Sequence, residues 1–377
     1  MRSSKLLAAA AGLSALHYGA LQAVLFTQGL TYLFWPSLAV RLVLLVLAAV
    51  PLGVRAFLDL HAGVVLPGPV AFFLYYIAVL ALLPRIVALR RAIKAPAHIG
   101  RRSLFVGTGV LALGAVGVAE SSKNLQVLNK HLPLRDLPSG FEGTKVALLA
   151  DLHRGPAVGR EYLEEVVARV NSLQPDIVLM PGDFVSKSSS YYPDIQRILS
   201  GLNPRIASFA TLGNHDHWEG AEGALAALDG AGVLALQNRA LYVGPEGRVG
   251  ERPAPGALCL AGVDDLWVGE PNIEFLADVP TDKPVILLSH HPDIAEKFKD
   301  CGHRVDVQFS GHTHGGQVVL PGVGPLATAS AYGTKYVYGW AEGPSWPVFT
   351  TCGIGTSTIP VRVGTTAEIV LFELRKA

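Results

Sequence analysis

Two histidines one residue apart, His312 and His314, stand in the stretch S-G-H-T-H-G-G-Q at residues 310–317, directly after an apolar run (Val305, Val307, Phe309). Residues i and i+2 of an extended strand point the same way, so at a strand end both imidazoles are expected to converge on one place. Neutral imidazole is the commonest side-chain metal ligand. Gly311, Gly315 and Gly316 let the chain turn sharply there and leave room for a substrate. Four apolar runs upstream end in the same manner. Residues 145–150 run into Asp151-Leu152-His153, residues 176–180 into Pro181-Gly182-Asp183, residues 208–212 into Gly213-Asn214-His215-Asp216, and residues 285–288 into Ser289-His290-His291-Pro292.

Collected, the candidate ligands are Asp151, His153, Asp183, Asn214, His290, His312 and His314. This mixed nitrogen and oxygen set suits Mn, Fe or Zn better than Ca or Mg, which favour oxygen throughout. Seven side chains exceed the needs of one tetrahedral ion. With one carboxylate bridging, they divide between two divalent ions. Such a pair clamps the attacking and leaving oxygens of a phosphoryl displacement.

The elements that position these groups read as strands and helices in alternation. Short continuous apolar runs bounded by turn residues are buried strands. Residues 160–173, with Leu163, Val166, Val167 and Val170 apolar, have helical periodicity. Alternation predicts an α/β architecture with ligands outside the carboxyl ends of the strands, where every candidate cluster lies. His291, next to His290, is expected on the opposite side of its strand, in an outer or exposed position. Asp264-Asp265 ends another apolar run and reads as a surface turn more than a substrate contact. Arg154 reads as a phosphate-oxygen partner or a solvated cation. Trp267, Tyr332, Tyr336, Tyr338 and Trp340 read as packing residues rather than a substrate groove. Nothing matches a P-loop, a dinucleotide fingerprint or a G-x-S-x-G elbow.

Mean hydropathy is +0.37 and only 16% of residues are charged, which points to membrane segments. They concentrate at the start. Residues 1–120 predict a transmembrane region with spans near 6–27, 36–54, 66–85 and 103–119. The loop 85–102 carries six Lys or Arg and no acidic residue. By the positive-inside rule it is cytoplasmic, which puts the rest of the chain outside a bacterial inner membrane, although Arg2 and Lys5 pull the first span the other way. Arg101-Arg102 before an apolar run is similar to a twin-arginine signal, but 100 residues precede it, so it reads as the cytoplasmic flank of the last span. Residues 121–143 read as a polar junction. A net charge of +1 gives no field for nucleic acid. Cys259, Cys301 and Cys352 are far apart and odd in number, fitting neither a disulfide framework nor a zinc knuckle.

D-L-H at 151–153, G-D at 182–183, G-N-H-D at 213–216, S-H-H-P at 289–292 and G-H-T-H at 311–314 resemble the five ordered motifs of calcineurin-like metallophosphoesterases, in their bacterial membrane-associated branch. The resemblance spans residues 144–374 and includes G-P-L-A-T at 324–328 and C-G-I-G…P-V-R at 352–362. It implies a domain at 144–377 with two facing mixed β-sheets flanked by helices. It implies that Asp151, His153 and His314 hold one ion, that Asn214, His290 and His312 hold the other, and that Asp183 bridges. His215 would protonate the leaving oxygen, with Asp216 as its orienting partner, and a hydroxide between the ions would be the nucleophile. The implied activity is a membrane-anchored phosphoesterase acting on phosphodiester or pyrophosphate bonds, free or lipid-linked. The alternatives are a cytoplasmic-side hydrolase of lipid-linked pyrophosphates in envelope synthesis and an inactive metal-binding sensor.

Overall fold

A computed structural model of the protein describes residues 124–377, apart from Pro321 and Ile359. The four expected spans and the basic loop lie outside the described residues. Among the described residues no helix is long and apolar enough to cross a membrane.

The first half of the described chain builds one sheet and its helical cover. Strands β1 (Leu125–Leu134), β2 (Lys145–Leu148), β3 (Ile177–Pro181), β4 (Ala207–Thr211) and β5 (Val233–Ala235) alternate with helices α1 (Arg160–Ser172), α2 (Tyr192–Leu199) and α3 (Asn214–Gly230). The second half is β6 (Arg239–Val243), β7 (Val249–Gly250), β8 (Leu258–Gly262), β9 (Val285–Leu288), the short helix α4 (Ile294–Lys297), β10 (Val307–Ser310), a hairpin of β11 (Val319–Leu320) and β12 (Gly324–Pro325), β13 (Gly339–Glu342), β14 (Pro347–Thr350) and β15 (Ala367–Lys376). A six-stranded sheet has the order β1-β15-β2-β3-β4-β5, and a seven-stranded sheet the order β13-β14-β10-β9-β8-β6-β7. Both are mixed. The expected two-sheet α/β fold is therefore present.

Continuous apolar strands serve two faces at once. In β3, Ile177 and Leu179 enter the core shared by the sheets, with Phe209, Ile286, Leu288, Phe309, Phe349 and Phe372. The alternate residues Val178 and Met180 turn to the helices and meet Leu163, Val166, Val170, Ile195 and Leu228. The period-two geometry of a strand requires this division. Beyond the second sheet, Cys259, Val285, Leu287 and Val348 pack with Ile294 and Trp346.

One boundary differs from expectation. Within the stretch read as a junction, β1 pairs in parallel with β15 from Leu125↔Ala367 to Leu134↔Lys376. Leu132 and Leu134 are buried and alternate with exposed His131 and Pro133, the pattern of a strand covered on one face. Of the polar residues that suggested a linker, Asn129 and His131 lie on the exposed side, while Lys130 reaches over the Phe349 ring.

Phe309 sits at the centre of the inter-sheet core, its ring 4.8 Å from Phe372 and 6.3 Å from Phe349. Phe309→Ala is expected to cost about 3–5 kcal/mol through lost burial and the cavity left behind, read as a lower midpoint in chemical denaturation. An unchanged midpoint would mean that the sheets do not depend on this contact.

Candidate metal centre

The carboxyl ends of β2, β3, β4, β9 and β10 deliver every candidate ligand to one edge of the two sheets. Five of them, Asp151, His153, Asp183, His312 and His314, have φ between 47° and 72°, a left-handed conformation that costs a non-glycine residue of the order of 1 kcal/mol or more. The chain beyond β2, β3 and β10 thus breaks sharply at its functional residues. This changes the expected behaviour of His312 and His314. They do not lie on an extended segment and do not converge, but reach in two directions. His312 Nδ1 is 3.1 Å from His290 Nε2, whereas His314 Nε2 is 2.9 Å from His153 Nε2.

Two abutting groups result. In the first, His153 Nε2 lies 4.0 Å and His314 Nε2 3.7 Å from Asp151 Oδ1. In the second, His290 Nε2 lies 3.1 Å from Asn214 Oδ1 as well as from His312 Nδ1. Asp183 stands between them, with Oδ2 3.4 Å from His153 Nε2 and 3.3 Å from His290 Nε2. All seven residues are buried. Burial drives the His153 ring down to about 3 and takes His312 and His314 well below the usual histidine range, so all three are neutral donors of lone pairs. Burial raises Asp151 to about 7, opposed by His290 and reinforced by the Asp183 charge. Asp183 itself is held well below the usual carboxylate range: burial works against ionisation, but His290, His215 and His153 outweigh it. Two carboxylates and several inward-facing imidazoles concentrated without solvent form a donor set that fits divalent cations, and its two halves fit a binuclear site.

Outer partners fix these donors. Pro181 O accepts from His290 Nδ1 at 2.8 Å, which turns Nε2 towards Asp183 and Asn214; burial works against a charge on this ring, but Asp183 raises it to about 10. Ser186 Oγ is 2.6 Å from His153 Nδ1. The His312 amide donates to Asp151 at 3.0 Å. Buried Arg362 donates to the carbonyls of Cys352, Gly353, Gly355 and His314, pinning the loop that closes over Asp151. Gly353 and Gly311 permit that approach, since a Cβ on either would lie 2.6 Å or 2.5 Å from Asp151 Oδ2.

His215 is half-buried beside the first group, its ring edge-on to His153 at 4.8 Å between centroids. Asp216 is not its partner. The Asp216 carboxylate accepts from the amides of Asp183 (2.8 Å), Phe184 (2.9 Å) and Gly213 (3.0 Å), because its place in the first turn of α3 aims it back at the β3 turn. His215 Nε2 instead lies 3.4 Å from Ser357 Oγ. The Ser357 backbone is clamped from both sides by the Gln317 amide at 2.9 Å. Gln317 ends the stretch that carries His312 and His314, and Ser186 follows Asp183 by three residues. Proximity to a motif was the available signal for both.

Other expectations change with packing. His291 takes the outer of its two expected positions and not the exposed one: it is fully buried, its ring centroid 3.6 Å from that of His312 and its Nε2 3.4 Å from Asp265 Oδ2. Asp264 and Asp265 are not a surface turn: Asp265 caps the amides of Trp267 and Val268, and Asp264 accepts from His217, Gln237 and two amides. Arg154 is neither solvated nor turned to the centre, because it pairs with Asp194 and lies over the Tyr191 ring. Trp267 does not pack away; it stands edge-on to His312 with centroids 4.5 Å apart. Tyr336 is a core residue, while Tyr332, Tyr338 and Trp340 are about half exposed.

Comparison with known proteins converges on one family. The model of the calcineurin-like phosphoesterases matches residues 144–316. A transmembrane protein with a metallophosphoesterase domain from Danio rerio is 28% identical over 81% of this chain and 70% of its own length. The metallophosphoesterase YkuE of Bacillus subtilis is 29% identical over 73% of this chain and 97% of its own. Phosphodiesterase YaeI of Escherichia coli is 31% identical over 61% of this chain and 82% of its own.

Two outcomes follow from this geometry. Asp216→Ala leaves three buried amides unanswered and frees the Asp183 turn; metal affinity is expected to fall about 10–100-fold in chelator competition, although no ligand is changed. Unaltered affinity would mean that the turn holds itself. His217 is raised above its ordinary value by its hydrogen bond to Asp264. A raised pKa stabilises the fold fully below the unfolded value, and the contribution is lost as pH rises through the folded one. His217→Ala should therefore cost more stability near pH 6, about the unfolded histidine value, than near pH 9; equal losses at both would exclude the charged pair.

Proposed function

The chain belongs to the calcineurin-like phosphoesterase family, and on that premise we propose that it is a membrane-anchored, binuclear-metal phosphodiesterase. The observation that carries the reading is the meeting of two buried donor groups at Asp183, with His215 at their margin. Asp151, His153, Asp183 and His314 would hold one divalent ion, and Asp183, Asn214, His290 and His312 the other, with Mn, Fe or Zn as the candidates. When bound, such ions polarise a phosphoryl oxygen and lower the pKa of water towards neutrality. The protein then has three tasks. Its buried carboxylates and imidazoles present a fixed, dehydrated cradle. The Asp183 Oδ1 atom, accepting the His215 amide at 2.9 Å, locks the start of α3 and with it the position of the His215 ring. That ring gives its proton to the leaving oxygen as the phosphorus–oxygen bond breaks.

Anchoring is supported by the uncharged runs in residues 1–120 and by the zebrafish relative's description as a transmembrane protein. The diester preference is supported by the relative named a phosphodiesterase. The basic loop at 85–102 favours a catalytic unit on the outer side of the inner membrane. A reporter fused after Ala377 decides sidedness: an internal signal would favour a hydrolase of lipid-linked pyrophosphates on the cytoplasmic side.

The full chain, stripped of metal and resupplied with Mn²⁺, is expected to cleave a chromogenic phosphodiester faster than the matching monoester. His215→Ala should keep its metal and lose about 10²–10⁴-fold in kcat, whereas Asp183→Ala should lose metal and activity together. Metal binding without cleavage of any ester would favour a sensor, and failure to bind metal would remove the binuclear assignment.

A further inference from the structure

Three apolar features border the metal centre and keep about half or more of their surface uncovered among the described residues. Trp218, edge-on to His215, is 55% exposed, and Trp267, edge-on to His312, is 53% exposed with Val268 beside it. The β11–β12 hairpin supplies Val323, 72% exposed, and Leu326, 62% exposed. Its base rests against the histidine loop, since a Cβ on Gly316 would lie 2.5 Å from that of Pro325. One side of the rim is linked: His314 leads to Gln317, Gln317 grips Ser357, and Ser357 lies 3.4 Å from His215, which packs on Trp218. Water normally opposes exposing such a group of large apolar side chains together, and a patch of this kind marks a surface that is covered in use.

The sheet register says what covers it. Strand β1 runs parallel to β15, with Leu125 opposite Ala367. Strand β15 runs antiparallel to β2, with Val370 opposite Leu148. The amino end of β1 is therefore at the same sheet edge as the carboxyl end of β2, from which Asp151 and His153 project. The chain enters the folded unit at its catalytic edge. Only residues 120–124 separate Leu125 from the uncharged run 103–119, a connection of roughly 17 Å when fully extended. With the anchoring proposed above, so short a connection would hold that edge near the membrane.

We propose that the metal-centre face docks on the lipid bilayer, with Trp218, Trp267, Val323 and Leu326 inserted at the level of the headgroups. Tryptophan is favoured at that depth because its ring is apolar and its N–H is polar. The substrate is then a phosphoester or pyrophosphate in the headgroup of a membrane lipid, presented to the ions without leaving the bilayer surface. This rests on the anchoring proposed above, but its test does not depend on hydrolysis.

The full chain carrying Trp35→Phe, loaded with metal, is reconstituted in phosphatidylcholine–phosphatidylglycerol vesicles, with and without brominated acyl chains. Brominated lipid is expected to quench a component of the tryptophan emission that is missing in Trp218→Phe/Trp267→Phe. In Val323→Asp/Leu326→Asp the same component should become quenchable by aqueous iodide and lose its response to bromine, with metal content unchanged. Emission of Trp218 and Trp267 quenched by iodide alone in the parent chain would overturn the proposal and assign the rim to a water-soluble partner or substrate. Because metal content and quenching are read separately from turnover, an inactive chain that still docks would contradict the phosphoesterase reading, and the lipid substrate with it, and leave only the docking standing.

Discussion

Everything at the centre depends on how one carboxylate, Asp183, is held. It lies at the end of the central strand β3 in a left-handed turn and touches both donor groups. A buried anion in that conformation is costly twice over, through desolvation and through backbone strain. Asp216 offsets the second cost by receiving the Asp183 and Phe184 amides, while neighbouring imidazoles, and cations when bound, offset the first. Gly213 allows the loop before α3 to lie against it, since a Cβ there would fall 2.3 Å from Asp183 Oδ1. Strand, turn and helix start are thereby one rigid piece, and the His215 ring inherits its place from it.

The same economy recurs around the site. Five candidate ligands share the left-handed conformation, and each follows a strand buried on both faces. Stiff, buried strands supply the stability, and the strain falls in the loops two to five residues beyond their ends. Such strain persists only where the surroundings over-determine it. Arg362 with its carbonyls and the Gln317–Ser357 clamp are part of what does so here.

Much of this was legible in the chain. The five apolar runs were correctly bounded to within a residue or two, and the helix at 160–172 followed from its periodicity. The candidate ligands gather because strand ends of parallel neighbours meet at one edge, a consequence of topology that motif order already implies. What escaped depended on contacts between distant residues. The strand β1 was hidden because its open face is polar and its partner lies 242 positions away. Asp216 was misread because adjacency to His215 suggested a bond, when the helix turn aims it elsewhere. His291 and Asp265 each read as peripheral, yet their burial comes from meeting each other across two strands.

The position of β15 has a consequence for how the protein is made. In the six-stranded sheet β15 lies between β1 and β2, so β1 has no neighbour until residues 367–376 have been made. The sheet cannot close before then, and its closing step is a pairing across 242 positions, the kind of non-local contact that forms slowly. Until then β2 keeps an open edge, the kind of surface that invites aggregation or the attention of chaperones. A chain interrupted before β15 would not be a slightly smaller enzyme but a sheet with β1 parted from β2.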